Sequence, residues 1–243
     1  NVYEGARAAE YPLPPLEPSY SNQLFADAAR TRGYHPFPQP AANASQPYTN
    51  PDGMRLARCQ YCGHCERFGC EANAKGSPHV TVIPAALRNP SFELRSHCWV
   101  TRINRDSTGR RATSVTYVDL RNGEEVEQPA ELVILSAFAV NNVHLLLLSG
   151  IGEPYDPASG RGLVGKNYCY QVDENVNLFF EDKRFNPFMG AGGLGMVVDD
   201  YHANPDFDRG PLGIVGGAII RNSSSNGRPI ASRAVPPGTP RWG

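Results

Sequence analysis

The sequence predicts a mixed α/β (α+β) fold, and three observations carry that prediction. Residues 98–120 hold β-type runs with Val100, Ile103, Val115 and Tyr117, and the Asn122-Gly123 dipeptide after them favours a two-residue hairpin. Residues 132–135 are a continuous apolar run, Leu-Val-Ile-Leu, as expected of a strand buried on both faces, and a helical stretch follows at 141–149. After Asp156 the chain breaks into short β-like runs separated by Gly, Asn and Pro.

The elements follow in order. Residues 1–19 are proline-rich and read as extended coil lying on another surface. A helix is predicted over 21–32, with Ser21 as its cap and Leu24, Phe25, Ala28 and Ala29 on one face. Residues 34–51 return to loop, and a compact, irregular cysteine segment follows. The β pattern starts at Phe92, turns at Asp106-Ser-Thr-Gly109 and resumes over 112–120. The helix at 141–149 stops at Gly150. Strand, turn and helix in that order look like the back half of an α/β nucleotide-binding domain. Later strands are predicted over 175–181, 194–199 and 212–221, and a domain boundary near 170 divides the chain into 1–170 and 171–243.

Bulk composition narrows the classes. The 243 residues suffice for one large domain or two modest ones, and 40% hydrophobic content supplies a core. Twenty-three basic residues against 24 acidic ones give no basic excess, so nucleic acid is not an expected partner. No apolar run is long enough to span a bilayer. With 24 Gly and 22 Pro the chain exceeds the usual combined share of about 12%, so loops are many and elements short. The chain starts without Met and without a signal-peptide pattern, and is expected to be a piece of something longer.

The densest chemistry is Cys59-Gln-Tyr-Cys62-Gly-His-Cys65-Glu-Arg-Phe-Gly-Cys70, spaced C-x2-C-x2-C-x4-C. Gly63 and Gly69 allow tight turns that bring several sulfurs to one point. The first three positions match a bacterial ferredoxin run and the fourth departs from it. A structural zinc site pairs two separated C-x2-C knuckles, and here only His64 and His79 stand in for the second. Six cysteines also allow 15 disulfide pairings, although loops this small make poor staples. Iron–sulfur, zinc and disulfide or free thiol all stand at this point. Cys98 and Cys169 are isolated and read as buried small hydrophobes.

Gly190-Ala-Gly-Gly-Leu-Gly195 matches G-x-G-x-x-G, but a poor strand precedes it and a strand-like run follows. It reads as a flexible or closely packed glycine loop in the substrate domain rather than a dinucleotide fingerprint. His35 reads as a loop residue and His144 as a packed one. His202 with Asp199, Asp200, Asp206 and Asp208 reads as solvated surface before it reads as a metal site, and Asn43-Ala-Ser45 fits a weak glycosylation acceptor.

Residues 131–152, Glu-Leu-Val-Ile-Leu-Ser-Ala-Phe-Ala-Val-Asn-Asn-Val-His-Leu-Leu-Leu-Leu-Ser-Gly-Ile-Gly, resemble the second signature of the glucose–methanol–choline (GMC) oxidoreductases. That signature is a strand, an S-A-G-A-like turn and a helix ending in L-L-x-x-S-G-I-G; here Phe138 stands where the family usually has Gly. Residues 81–103 look like the family's next strand, and Gly165-Lys-Asn-Tyr168 resembles its G-R-N-L element. The cysteine segment and the closing stretch 236–242 narrow the resemblance to the flavoprotein subunits of membrane-bound gluconate 2-dehydrogenases and related sugar or polyol dehydrogenases.

The resemblance implies part of an FAD-binding Rossmann-like domain with a β-meander (1–170, carrying the cysteine insert) and part of an antiparallel-sheet substrate domain (171–243). It implies FAD contacts at Val100, whose backbone meets the adenine, and at Ser136, Ala137, Asn141 and Asn142. It implies a [3Fe–4S] or [4Fe–4S] cluster on Cys59, Cys62, Cys65 and Cys70. Hydride would pass from a hydroxyl-bearing carbon of a sugar, sugar acid or polyol to flavin, and electrons would leave through the cluster. The implied partners are a cytochrome c subunit and a small accessory subunit, on the periplasmic side of a bacterial cytoplasmic membrane, with Gln60, Tyr61, Arg67 and Phe68 as docking candidates. The family's N-terminal glycine fingerprint and its catalytic His pair are expected outside these residues, so the piece alone should neither hold FAD fully nor turn over.

Overall fold

A computed structural model of the chain describes residues 11–65, 68–170, 173–185, 189–202, 207–214 and 217–223. The expectations for Arg67, Asp206 and the stretch 236–242 lie outside the described residues. Contacts divide the chain into two compact units. One is Asn1–Phe92 with Phe179–Gly243, and the other is Glu93–Leu178. The first is therefore discontinuous in sequence, whereas the expected division at 170 has a single cut.

In the first unit, helix α1 spans Tyr20–Thr31. Ser19, not Ser21, caps it. Its hydroxyl accepts from the Asn22 amide, and the Asn22 side chain accepts from the Ser19 amide at 3.1 Å, which satisfies two end groups reciprocally. The buried stripe is Asn22, Ala26 and Ala29, while Ala28 faces solvent. Short strands β1 (Phe37–Pro38), β2 (Tyr48–Thr49) and β3 (Arg55–Leu56) follow, with β2 and β3 paired antiparallel. Helix α2 covers Val82–Ala86.

The second unit holds β4 (Cys98–Arg105), β5 (Ala112–Asp119) and β6 (Glu125–Pro129), an antiparallel meander in sequence order. Asp106 shapes the first turn: its carboxylate accepts from the Thr108 hydroxyl at 2.8 Å and the Arg110 amide at 3.1 Å. The second turn corrects the two-residue expectation. Asp119 pairs with Glu124, so residues 120–123 form the loop, with Gly123 at φ 78°. The Asp119 carboxylate accepts from the Arg121 amide at 3.0 Å and from its guanidinium, and so folds the loop ahead of Asn122-Gly123.

Helix α3, Ala139–Leu148, packs on β4. Gly150 ends it at φ 63°, as expected. Ser149 ties the two together: its hydroxyl donates to the Leu145 carbonyl at 2.6 Å and accepts from the Ile103 amide at 2.9 Å.

Back in the first unit, β7 (Gly195–Val198) lies between β1 and β8 (Ile220–Ser223), all antiparallel. Every residue of β7 is buried, and α1 lies against β7 and β8. The Asn22 amide fixes that packing by donating to the Asn222 side chain at 2.6 Å.

Three further expectations are corrected. Residues 132–135 form no strand, because no described strand pairs with them. Residues 175–181 are irregular for the same reason. Among the described residues of 212–221 the structure has the end of a 3-10 turn at Gly210–Leu212 and the start of β8. Every described sheet is antiparallel, which together with the helices gives the mixed α/β class. Among the described residues no helix is long and apolar enough to cross a membrane.

Candidate functional site

The thiol segment is held from both sides by backbone pairing. Residues 42–44 run against 74–76, with Ala44 donating to Ala74 at 2.8 Å and Gly76 to Ala42 at 2.7 Å. The Cys59 amide donates to the Ala44 carbonyl at 2.8 Å. On the other side Gly63 donates to Gly190 and Gly190 to Tyr61, both at 3.0 Å. Tyr61 at φ 54° and Gly63 at φ 80° let the chain turn back between successive cysteines.

The sequence leaves the glycine loop 190–195 open between flexible and closely packed, and the structure has it closely packed. It leads into β7 and not into a helix. A Cβ on Gly192 would lie 2.5 Å from the Cys65 Cβ, and one on Gly193 would lie 2.6 Å from the Ala41 Cβ. The loop is therefore the cover of the thiol segment, and its glycines are required by close approach.

Cys59 is buried in a small core with Leu16, Ala74, Ala191 and Leu194, against which Tyr61, Cys70 and Ala72 pack. Cys65 and Cys70 are half-buried and Cys62 is exposed. The Cys70 sulfur accepts from the Ala74 amide at 3.3 Å, and the Cys65 sulfur from the Asn43 side-chain amide at 3.6 Å. Burial pushes the Cys59 thiol above its ordinary pKa, a Tyr61 backbone amide opposes this, and the neighbouring Cys65, Cys62 and Cys70 push it further up. Among the described residues, no three His, Cys, Asp or Glu side chains are spaced to hold a single metal ion. The described thiols therefore do not fit a metal or cluster site as they stand.

Around the thiols, His64 stacks edge-on against Phe68 at 5.6 Å, and Phe68 is exposed. Lys75 donates through Nζ to the Cys65 carbonyl at 2.9 Å and the Phe68 carbonyl at 3.2 Å. Asn43 and Lys75 were not legible as site residues, because their link to the thiols is tertiary. Cys98 and Cys169 correct the expectation of burial: Cys98 is partly exposed at the start of β4, and Cys169 is exposed.

In the second unit, Ser136, Ala137 and Asn141 are exposed, and Val100 lies on the meander at 39% exposure. Asn142 works inside the turn. Its Oδ1 accepts from the Ala137 amide at 2.8 Å and its Nδ2 donates to the Leu135 carbonyl at 3.4 Å. Phe138 precedes α3 at φ 76°, ψ 150°, a region that is essentially glycine-only. The backbone thus keeps a glycine's conformation although the residue is Phe. No side chain caps α3, and its first turn carries no acidic residue. An uncapped helix start beside an exposed turn suits the polar, anionic part of a dinucleotide cofactor, so these residues fit FAD.

Of the histidines, His35 is bound through Nδ1 to Asp200 at 2.7 Å on the surface, and His144 is exposed rather than packed.

A family model described as GMC oxidoreductase matches residues 15–173. Over its whole length the chain is 47% identical to the gluconate 2-dehydrogenase flavoprotein of Pantoea cypripedii, covering 39% of that protein. Identity is 27% to a 2-methyl-1,2-propanediol dehydrogenase of Mycolicibacterium austroafricanum, over 86% of this chain and 36% of that protein. It is 26% to a 6'''-hydroxyparomomycin C oxidase of Streptomyces lividus, over 88% of this chain and 39% of that protein. The chain thus spans less than two fifths of the length of these relatives.

Proposed function

The chain belongs to the GMC oxidoreductases, and from that premise we propose that it is part of an FAD-dependent dehydrogenase that oxidises a hydroxyl of a gluconate-like sugar acid, a sugar or a polyol. The observation that carries this reading is the 47% identity, along the full chain, with a gluconate 2-dehydrogenase flavoprotein. FAD, when bound, supplies the hydride acceptor. The second unit supplies its seat. Asn142 locks the turn 135–138, the start of α3 presents unpaired backbone amides, and Ser149 anchors the far end of that helix to β4. Val100, Ser136, Ala137 and Asn141 line the same segments.

The C-x2-C-x2-C-x4-C spacing in the sequence is what supports the finer reading. Cys59, Cys62, Cys65 and Cys70 would hold a [3Fe–4S] or [4Fe–4S] cluster, which supplies one-electron carriage to a cytochrome c subunit. A small accessory subunit and a place on the periplasmic side of the cytoplasmic membrane belong to the same proposal.

The test is iron, zinc and acid-labile sulfide in the anaerobically purified full-length protein, with an EPR spectrum and a dye-linked gluconate assay on the same sample. Iron with matching sulfide and gluconate-dependent dye reduction is the expected result. Stoichiometric zinc, or no metal, removes the relay and its cytochrome partner. Fast oxygen consumption with no effect of Cys62→Ser on dye reduction makes the protein an oxidase with structural cysteines, a reading favoured by the similarity to the Streptomyces oxidase.

A further inference from the structure

A side chain held in a backbone region that only glycine tolerates needs a reason to be there, because glycine would make the same turn without strain. We infer that Phe138 is a cofactor-holding residue, whose ring is presented to bound FAD and stacks on one of its flat rings. This rests on the FAD seat proposed above, and FAD itself comes with membership of the GMC oxidoreductases.

Three observations carry it. The first is the backbone, which stands at φ 76°, ψ 150° at Phe138. The other four described non-glycine residues with positive φ, Tyr61, Asn73, His97 and Asn167, lie between 50° and 60°, the range of the small left-handed helical region. Phe138 lies outside that range, in a region essentially reserved for glycine.

The second is a clamp that keeps the strain from relaxing. Asn142 Oδ1 accepts from the Ala137 amide at 2.8 Å, and its Nδ2 donates to the Leu135 carbonyl at 3.4 Å. The backbone amide of the same residue donates to the Phe138 carbonyl at 2.8 Å. The chain is thus fixed both before and after the Phe138 Cα.

The third is that the ring is 67% exposed, so packing within its own unit does not offset the strain. The side chain adds only what it can touch outside the unit. Phe138 immediately precedes α3 and stands among Ser136, Ala137 and Asn141, the residues proposed to meet FAD. An aromatic face beside a bound dinucleotide stacks on adenine or flavin, a contact that exists only when the cofactor is present.

The experiment follows FAD release from the full-length holoprotein on dilution, by the rise in flavin fluorescence. It also measures the melting temperature of the same proteins freed of FAD. Phe138→Gly removes ring and strain, Phe138→Ala removes the ring and keeps the strain, and Phe138→Tyr keeps both. Phe138→Gly and Phe138→Ala are expected to release FAD about tenfold faster than wild type, with Phe138→Tyr near wild type. Without FAD, Phe138→Gly alone is expected to melt above wild type. Stability and cofactor retention then move in opposite directions, which a residue that only packs on protein would not produce. Gly and Ala variants that release FAD at the wild-type rate overturn the inference and leave the FAD reading standing. Lower melting temperatures for both without FAD place the ring against protein and overturn it too. A wild type that binds no FAD sinks the FAD reading, and this inference with it.

Discussion

The thiol segment and the stretch 131–148 carry the two most specific patterns in the sequence, and the structure treats them differently. Around the thiols, backbone pairing, a buried cysteine and a covering glycine loop all come from residues of the same unit. At 131–148 the helix and its anchoring serine are formed, yet Leu132 and Ile134 are each 76% exposed and pair with no described strand. The first pattern asks for neighbours the chain provides. The second asks for a strand on either side. A short apolar run has no strand geometry of its own to fall back on, because a strand takes its hydrogen bonds from other strands.

The sharpest way to break this contrast is to charge the open face. Leu132→Asp with Ile134→Asp in the full-length protein is expected to cost more than about 3 kcal/mol, since the apolar run should be buried there. A melting curve unchanged from wild type would mean that the exposure is native. On the closed side, Gly192→Ala drives a Cβ to within 2.5 Å of the Cys65 Cβ. A loss of about 1–3 kcal/mol is expected, measured by denaturant titration. Stability equal to wild type would show that the loop does not cover the thiols.

Phe138→Gly sharpens the comparison in the opposite direction. It relieves a glycine-only conformation at an exposed residue, and relief of strain should exceed the added chain entropy by about 1 kcal/mol. A lower melting temperature would refute the strain. The smallest effect belongs to the hairpin. The Arg121 side chain, then its amide, hold the Asp119 carboxylate at about 2. A carboxylate lowered on folding contributes stability above its unfolded value of 3.8, and that contribution is lost as pH falls towards 2. Arg121→Ala should move the Asp119 titration, followed by NMR, up towards 3.8; an unmoved titration would assign the shift to the backbone alone.

What could be read in advance follows the range of the interactions. The meander and the helix before Gly150 are local patterns, and they stand where the sequence puts them. Ser19 displaced Ser21 as the cap because capping depends on where the helical backbone begins, and either serine satisfies the pattern. Asn122-Gly123 does not make a two-residue turn because the Asp119 carboxylate holds the Arg121 amide and guanidinium inside a longer loop. Asn43, Lys75 and the burial of Cys59 could not be read at all. They depend on residues 42–44, 74–76 and 190–195 meeting, which no spacing announces.

That meeting also orders events during synthesis. Cys70 emerges from the ribosome 120 residues ahead of Gly190, by direct count along the chain. At about 5–20 residues per second this leaves roughly 6–24 s in which the thiols exist without their glycine cover. The strand that carries Asn222, the clamp for Asn22, arrives later still. Nascent thiols open to solvent are accessible to oxidants and to one another. The order of translation therefore leaves the thiols uncovered until the second half of their unit is made.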